Sequence, residues 1–132
     1  MPGDFAVAAS GFRVATERFE TSVNNLVNAN STAQLETDGS FSNTPYRPQT
    51  VQPVTQPQGG VTSVTVERDN PTVPSFEPSN SLADENGFVE TPNVDVAEEA
   101  VNQIIASYDA QANLSAIRIQ DEILEATVDI LA

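Results

Sequence analysis

Large apolar residues recur every seven positions at the start of the chain: Phe5, Phe12, Phe19 and Leu26. Ala8, Ala15 and Ser22 fill a second position of the same heptad, with Ala9, Thr16 and Val23 beside them. This periodicity predicts a helix from about Asp4 to Asn30, with Asp4 as its N-cap. One line of large residues beside one line of small ones suits close helix–helix approach. The same pattern also fits an amphipathic helix packed on its own domain.

A second helix is predicted from Val96 to Leu131. Asp95 with Glu98 three residues on resembles a capping box, and no Pro or Gly follows to the end of the chain. At 1.5 Å per residue this helix is roughly 54 Å long, longer than helices usually are in a compact domain. Val101, Ile105, Tyr108, Ala112, Ala116, Ile119, Ile123, Ala126 and Ile130 form one apolar line, and Leu114, Ile117, Leu124, Val128 and Leu131 another. The two lie about 150° apart at 100° per residue, with Asp121 interrupting the second. A helix apolar on two nearly opposite faces requires neighbours on both. The chain has a single other long helix, so the remaining face calls for another copy or another protein.

Eight of the nine prolines lie at position 45 or beyond and none follows Pro92, which divides the chain. Three segments result: an N-terminal helix (1–31), an irregular middle with short β-strands (32–92) and a C-terminal helix (93–132). Val61, Val64 and Val66 among Thr and Ser predict a strand entered through a Gly59-Gly60 turn. Tyr46 to Val54 is a second strand candidate, confined to an edge by Pro48 and Pro53. Thr37-Asp38-Gly39-Ser40 reads as a turn. The expected fold is therefore mainly α: two long terminal helices packed as a coiled-coil-like pair around an irregular middle.

Composition narrows the function. With no Cys and no His, a Ser-His-Asp triad, a Cys nucleophile and a zinc site on His or Cys are excluded. The formal net charge is −14, from 19 acidic residues against five Arg and no Lys. Nucleic-acid binding needs cations to displace phosphate counterions, so neither nucleic acid nor an anionic membrane surface is an expected partner. The longest apolar run, Phe5 to Ala9, falls far short of the ~20 residues needed to span a bilayer. Met1-Pro2-Gly3-Asp4 carries no positive n-region of a cleavable signal.

Carboxylate chemistry survives these exclusions. Asp84 with Glu85, or Glu98 with Glu99, could form an acid pair of the glycosidase kind. Neighbouring helical residues do not face each other, so Glu98 and Glu99 fit better as an acidic first turn on the helix dipole. Asp84-Glu85-Asn86-Gly87 has the outline of a calcium loop, but the alternate positions hold Asn86, Phe88 and Glu90 and the twelfth is Asp95. A turn with Gly87 in the left-handed region is the simpler reading. No catalytic, cofactor-binding or metal site is expected.

Three stretches resemble the flagellar basal-body rod family, its proximal-rod members in particular. The first is Val23-Asn24-Asn25-Leu26-Val27-Asn28-Ala29-Asn30-Ser31, similar to an Asn-rich signature near the amino end of rod and hook proteins. The second is the pair Tyr46-Arg47. The third runs from Pro78 through Leu82-Ala83-Asp84-Glu85-Asn86-Gly87-Phe88-Val89 into Pro92-Asn93-Val94-Asp95-Val96, followed by Glu99, Val101-Asn102 and Gln111-Ala112-Asn113-Leu114. Ala110 stands where the family commonly has Tyr, and Ser81 where it often has Pro.

The resemblance implies a structural subunit, with no enzymatic activity and no cofactor. Such subunits are exported by the flagellar type III apparatus and stack their helices into a tube across the periplasm. There the rod carries torque from motor to hook, in contact with further copies and other rod proteins. On this reading Phe5, Phe12, Phe19 and Leu26 seat the first helix against Ala112, Ile119, Ile123 and Ile130. Leu114, Ile117, Leu124, Val128 and Leu131 meet neighbouring subunits. Asn24, Asn25, Asn28 and Asn30 satisfy hydrogen bonds where the first helix ends. The competing expectation is a type III-secreted coiled-coil effector or regulator that uses the same helices to bind a protein partner.

Overall fold

The computed structural model describes residues 2–34 and 45–131; for residues 2–4, 130 and 131 it describes the backbone alone. The element order is α1 (Pro2–Val27), β1 (Gln49–Thr55), β2 (Val61–Glu67), β3 (Thr72–Phe76), β4 (Phe88–Pro92) and α2 (Val96–Leu131). The turn expected at Thr37-Asp38-Gly39-Ser40 lies outside the described residues.

Helix α1 begins at Pro2, so Asp4 sits within its first turn rather than at its cap. Proline is well suited to open a helix, because its missing N–H would have no partner there. The helix ends three residues before Asn30. The Asn28 side chain donates to the Asn24 carbonyl at 2.8 Å, and the Ser31 hydroxyl donates to the Asn28 carbonyl at 2.9 Å. These bonds occupy carbonyls that the helix end leaves open. Helix α2 occupies the predicted span, and Asp95 is its cap. One carboxylate oxygen accepts from the Ala97 N–H at 2.8 Å and from the Glu98 N–H at 3.1 Å.

The helices run antiparallel, since Ser22 meets Glu99 near one end and Gly11 meets Asn113 further along. Their seam is built from small residues. Ala8, Ala15 and Ser22 of α1 and Ala106 of α2 are buried. At Gly11 an added Cβ would lie 2.4 Å from the Asn113 side-chain oxygen, so glycine admits that side chain to the seam. Of the two lines in the sequence pattern, the small one, Ala8, Ala15 and Ser22, is the one that is buried.

Strands β1 and β2 form an antiparallel hairpin, with Gln49 opposite Glu67 and Thr55 opposite Val61. Gly59 (φ 92°) and Gly60 (φ 85°) make its turn. The hairpin lies along α1: the Val61 N–H donates to the Ser10 hydroxyl at 3.0 Å, Ser63 bonds Glu17, and the Gln49 N–H donates to the Asn25 side chain at 3.0 Å. Ser10, Glu17 and Asn25 therefore mark one face of α1. Val14 shares that face by its spacing and is buried, as is Val51 of β1.

Strands β3 and β4 form a second antiparallel hairpin, with Pro74 opposite Glu90 and Phe76 opposite Phe88. The sequence pattern missed both strands. Each is short, and β3 carries Pro74 at its centre. Ala33 lies along the outer edge of β4, exchanging two backbone bonds of 2.9 Å with Glu90. Ala33 and Val89 are buried there.

Candidate assembly surface

Two features stand out against this frame: a buried polar node that fixes the helices to the first hairpin, and an apolar helix surface that the chain does not cover.

The node is centred on Asn25 and Glu99, both about 1% exposed. The Asn25 side-chain NH2 donates to the Glu99 carboxylate at 3.0 Å and to the Gln49 carbonyl at 2.8 Å. The Asn25 side-chain oxygen accepts from the Tyr46 hydroxyl at 2.8 Å and from the Gln49 N–H at 3.0 Å. Both donors and both lone pairs of the amide are therefore used. Arg68, just past β2, reaches the same Glu99 oxygen at 2.5 Å, and its other terminal nitrogen lies 3.5 Å from Glu98. The Ser22 hydroxyl donates to the Glu99 backbone carbonyl at 2.9 Å. A buried carboxylate is tolerable only with such a cation and donors around it.

The Asn-rich signature and the Tyr46-Arg47 pair thus meet in space at Asn25 and Tyr46. Arg47 instead forms an outer ion pair with Glu67 at 2.8 Å. Asn24 and Asn30 are exposed. Arg68 carries no local signal of this role, and Glu99, an acidic first-turn residue by its spacing, faces inward. Its position four residues after the Asp95 cap gave no sign that this side of the turn faces inward.

The third stretch builds the β3–β4 loop. One carboxylate oxygen of Asp84 accepts from the N–H groups of Asn86 and Phe88, both at 2.8 Å. The bond from Phe88, above all, lowers the Asp84 pKa. Gly87 has φ 83°, as the turn reading requires. The Leu82 N–H bonds the Asn80 side chain, and the Ala83 N–H the Asn80 carbonyl. Pro92 is buried, and Asn93 bonds the Pro71 and Asn70 carbonyls. In α2, Asn113 lies in the helix seam with its amide on the Asp109 carbonyl, while Gln111 is exposed.

Among the described residues, the large side chains expected to pair across the helices keep much of their surface uncovered. Phe5, Phe12 and Phe19 are 47%, 38% and 39% exposed, and Ile119 and Ile123 are 56% and 55% exposed. Ala112 is exposed and Leu26 half-buried. Small residues bring the two backbones close, which leaves no room for Phe and Ile between them. Phe12 and Phe19 instead border an open groove beside Ala106 and Ala110. The second line divides as well. Ile117 is half-buried on the side of α2 that carries Ala106, Ala110 and Asn113, whereas Leu114, Leu124 and Val128 are exposed. The side chains of Ile130 and Leu131 lie outside the described residues.

Helix α2 has 36 residues against 26 in α1, so it projects roughly 15 Å further at 1.5 Å per residue. Every side chain from Asp121 to Asp129 is exposed. No described helix is long and apolar enough to cross a membrane.

Known proteins are similar to this chain in sequence. The model of the C-terminal region of flagellar basal-body rod FlgEFG proteins matches residues 85–130. The flagellar basal-body rod protein FlgC of Salmonella typhimurium is 37% identical over 119 residues, covering 86% of this chain and 84% of that protein. FlgC of Yersinia enterocolitica is 35% identical, with 94% and 92% covered, and FlgC of Agrobacterium fabrum 33%, with 95% and 91% covered. The chain belongs to the FlgC family of flagellar basal-body rod proteins. It is a structural subunit of the flagellar rod and not an enzyme. In this FlgC-family chain the match to residues 85–130 takes in the turn at Gly87, strand β4, the Asp95 cap, the Glu99 end of the node and the projecting part of α2.

Proposed function

We propose that this rod subunit joins its neighbours through the uncovered surface of α2 and the flanking Phe line of α1, and so transmits torque along a helical assembly. The observation that carries this reading is the projecting end of α2. Leu124 and Val128 are 54% and 66% exposed on a helix the chain leaves bare. Isolated helices are marginal in water and take most of their stability from packing an apolar face. A second feature supports it. A groove of about 640 Å³ runs beside Phe19, Ile104 and Tyr108, and the buried side-chain nitrogen of Gln103, which lines it, has no hydrogen-bond partner among the described residues. A neighbouring subunit that supplies an apolar side chain would fill it.

Contacts that repeat without closing generate a filament, which suits a tube spanning the periplasm in the proximal part of the rod. Delivery by the flagellar type III export apparatus belongs to the same reading. The node then serves transmission: it locks the β1–β2 hairpin to both helices, so force on one helix reaches the others through hydrogen bonds rather than a flexible joint.

The test replaces Leu124 and Val128 by Asp. The double variant is expected to be made and exported, yet absent from isolated basal bodies, with swimming lost, because charge on a packed apolar face is costly. Normal motility and normal incorporation would overturn the assignment of this face.

A further inference from the structure

The β3–β4 hairpin presents a second, separate surface. Residues opposite one another in an antiparallel pair share a face, so Pro74, Phe76, Phe88 and Glu90 lie together. The two aromatic rings pack edge to face, with centroids 5.3 Å apart at 61°. Phe76 nonetheless stays 63% exposed and Phe88 41%. Beside them opens a mainly apolar groove of about 350 Å³, bordered by Pro74, Phe88 and Val89 and by the acidic residues Asp84 and Glu90. The hairpin packs on no other described helix or strand and is tied to the body beside Ala33. An aromatic pair in that position does not serve the core.

Charge defines what fits. From Asp69 to Pro92 the acidic residues are Asp69, Glu77, Asp84, Glu85 and Glu90, and there is no Arg or Lys. Asp84 is held as the carboxylate by the backbone N–H groups of its turn, so the groove keeps a negative rim. Strand addition is a poor mode of binding here: β4 has Ala33 on its outer side, and Pro74 interrupts the free edge of β3. A second copy is also a poor occupant. It carries the same −14 and has no Lys, and among the described residues three of its five Arg are already in ion pairs: Arg18 with Asp109, Arg47 with Glu67, and Arg68 with Glu98 and Glu99.

We propose that the Phe76–Phe88 face of the hairpin docks a segment of a different protein, one that offers a large apolar side chain flanked by Lys or Arg. The apolar side chain enters the groove against Pro74 and Phe88, and the cations meet Asp84 and Glu90. This contact is independent of the helix surface proposed above.

The test places a photo-cross-linking phenylalanine analogue at Phe88, and separately at Ile123 on α2, in otherwise intact cells, and identifies the captured peptides by mass spectrometry. The Phe88 probe is expected to capture a protein other than this chain, at a segment with Lys or Arg beside an apolar residue. Glu90→Gln should lower that yield about threefold, the order expected for one partly exposed ion pair, and leave the Ile123 yield unchanged. Capture of a second copy, capture of a segment without a cation, no capture at Phe88, or indifference to Glu90→Gln would each overturn the proposal. The Ile123 probe reports on the helix surface alone, so failure of one contact is distinguishable from failure of the other.

Discussion

Asn25 shows how much one side chain can fix. Its amide reaches α2 through Glu99, the segment before β1 through Tyr46, and β1 itself through the Gln49 backbone. Asn25→Asp keeps the shape but removes both donors and sets a second carboxylate against Glu99. The expected cost is about 3 kcal/mol, since a buried group loses its partner and a buried charge gains a like neighbour. Urea unfolding followed by circular dichroism would measure it, and a change below 1 kcal/mol would remove the node from the stabilising account. Tyr46 adds a pH dependence. Burial first, then the charge of Glu99, raises its phenol above the usual 10.0, while Arg68 acts in the opposite direction. A raised value in the folded state means that the neutral phenol is favoured. Its contribution is complete below pH 10.0 and disappears as the pH climbs through the folded value. Wild type should therefore lose stability more steeply than Tyr46→Phe above pH 10.0, and parallel profiles would exclude the effect.

At the scale of elements, the small-residue seam and the length of α2 belong together. Close approach along Ala8, Gly11, Ala15 and Ala106 seals only the overlap of the two helices. The rest of α2 is held by its own backbone bonds. Amides in 121–129 should exchange hydrogen on the order of a hundredfold faster than those around Ala106 in the free subunit, and should become protected in assembled rods. Uniform protection along α2 in the monomer would mean that the overhang is stable alone. Gly11→Leu tests the seam directly, because its side chain would occupy the place of Asn113. The loss expected is about 2 kcal/mol, typical of overpacking, read from the thermal midpoint of the helical signal.

For the molecule as a whole, charge opposes assembly while apolar surface drives it. Each copy carries −14 and no Lys, and the projecting part of α2 holds Asp121, Glu122, Glu125 and Asp129 beside Leu124 and Val128. Screening falls within about 10 Å at 0.1 M salt and about 3 Å at 1 M. Salt should therefore lower the concentration at which the purified subunit associates, and Glu122→Gln with Glu125→Gln should shift association to lower salt. Sedimentation across a NaCl series would show this. Association that weakens as salt rises would mean that attraction between opposite charges governs the contact.

The limits of helix α2, its Asp95 cap, the first hairpin turn at Gly59-Gly60 and the left-handed Gly87 were legible in the sequence, because each depends on neighbours within a few residues. The surplus of apolar helix surface was legible for the same reason, since periodicity counts faces without knowing what covers them. Which face turned inward was not. The heptad holds Phe5, Phe12 and Phe19 beside Ala8, Ala15 and Ser22, and either line could have been the seam. Only packing against α2 and the β1–β2 hairpin selected the small line, because backbones that approach closely leave large side chains outside. The burial of Glu99 was decided the same way. Its partners Asn25, Arg68 and Ser22 lie 31 to 77 residues away along the chain, a separation that only the folded chain closes.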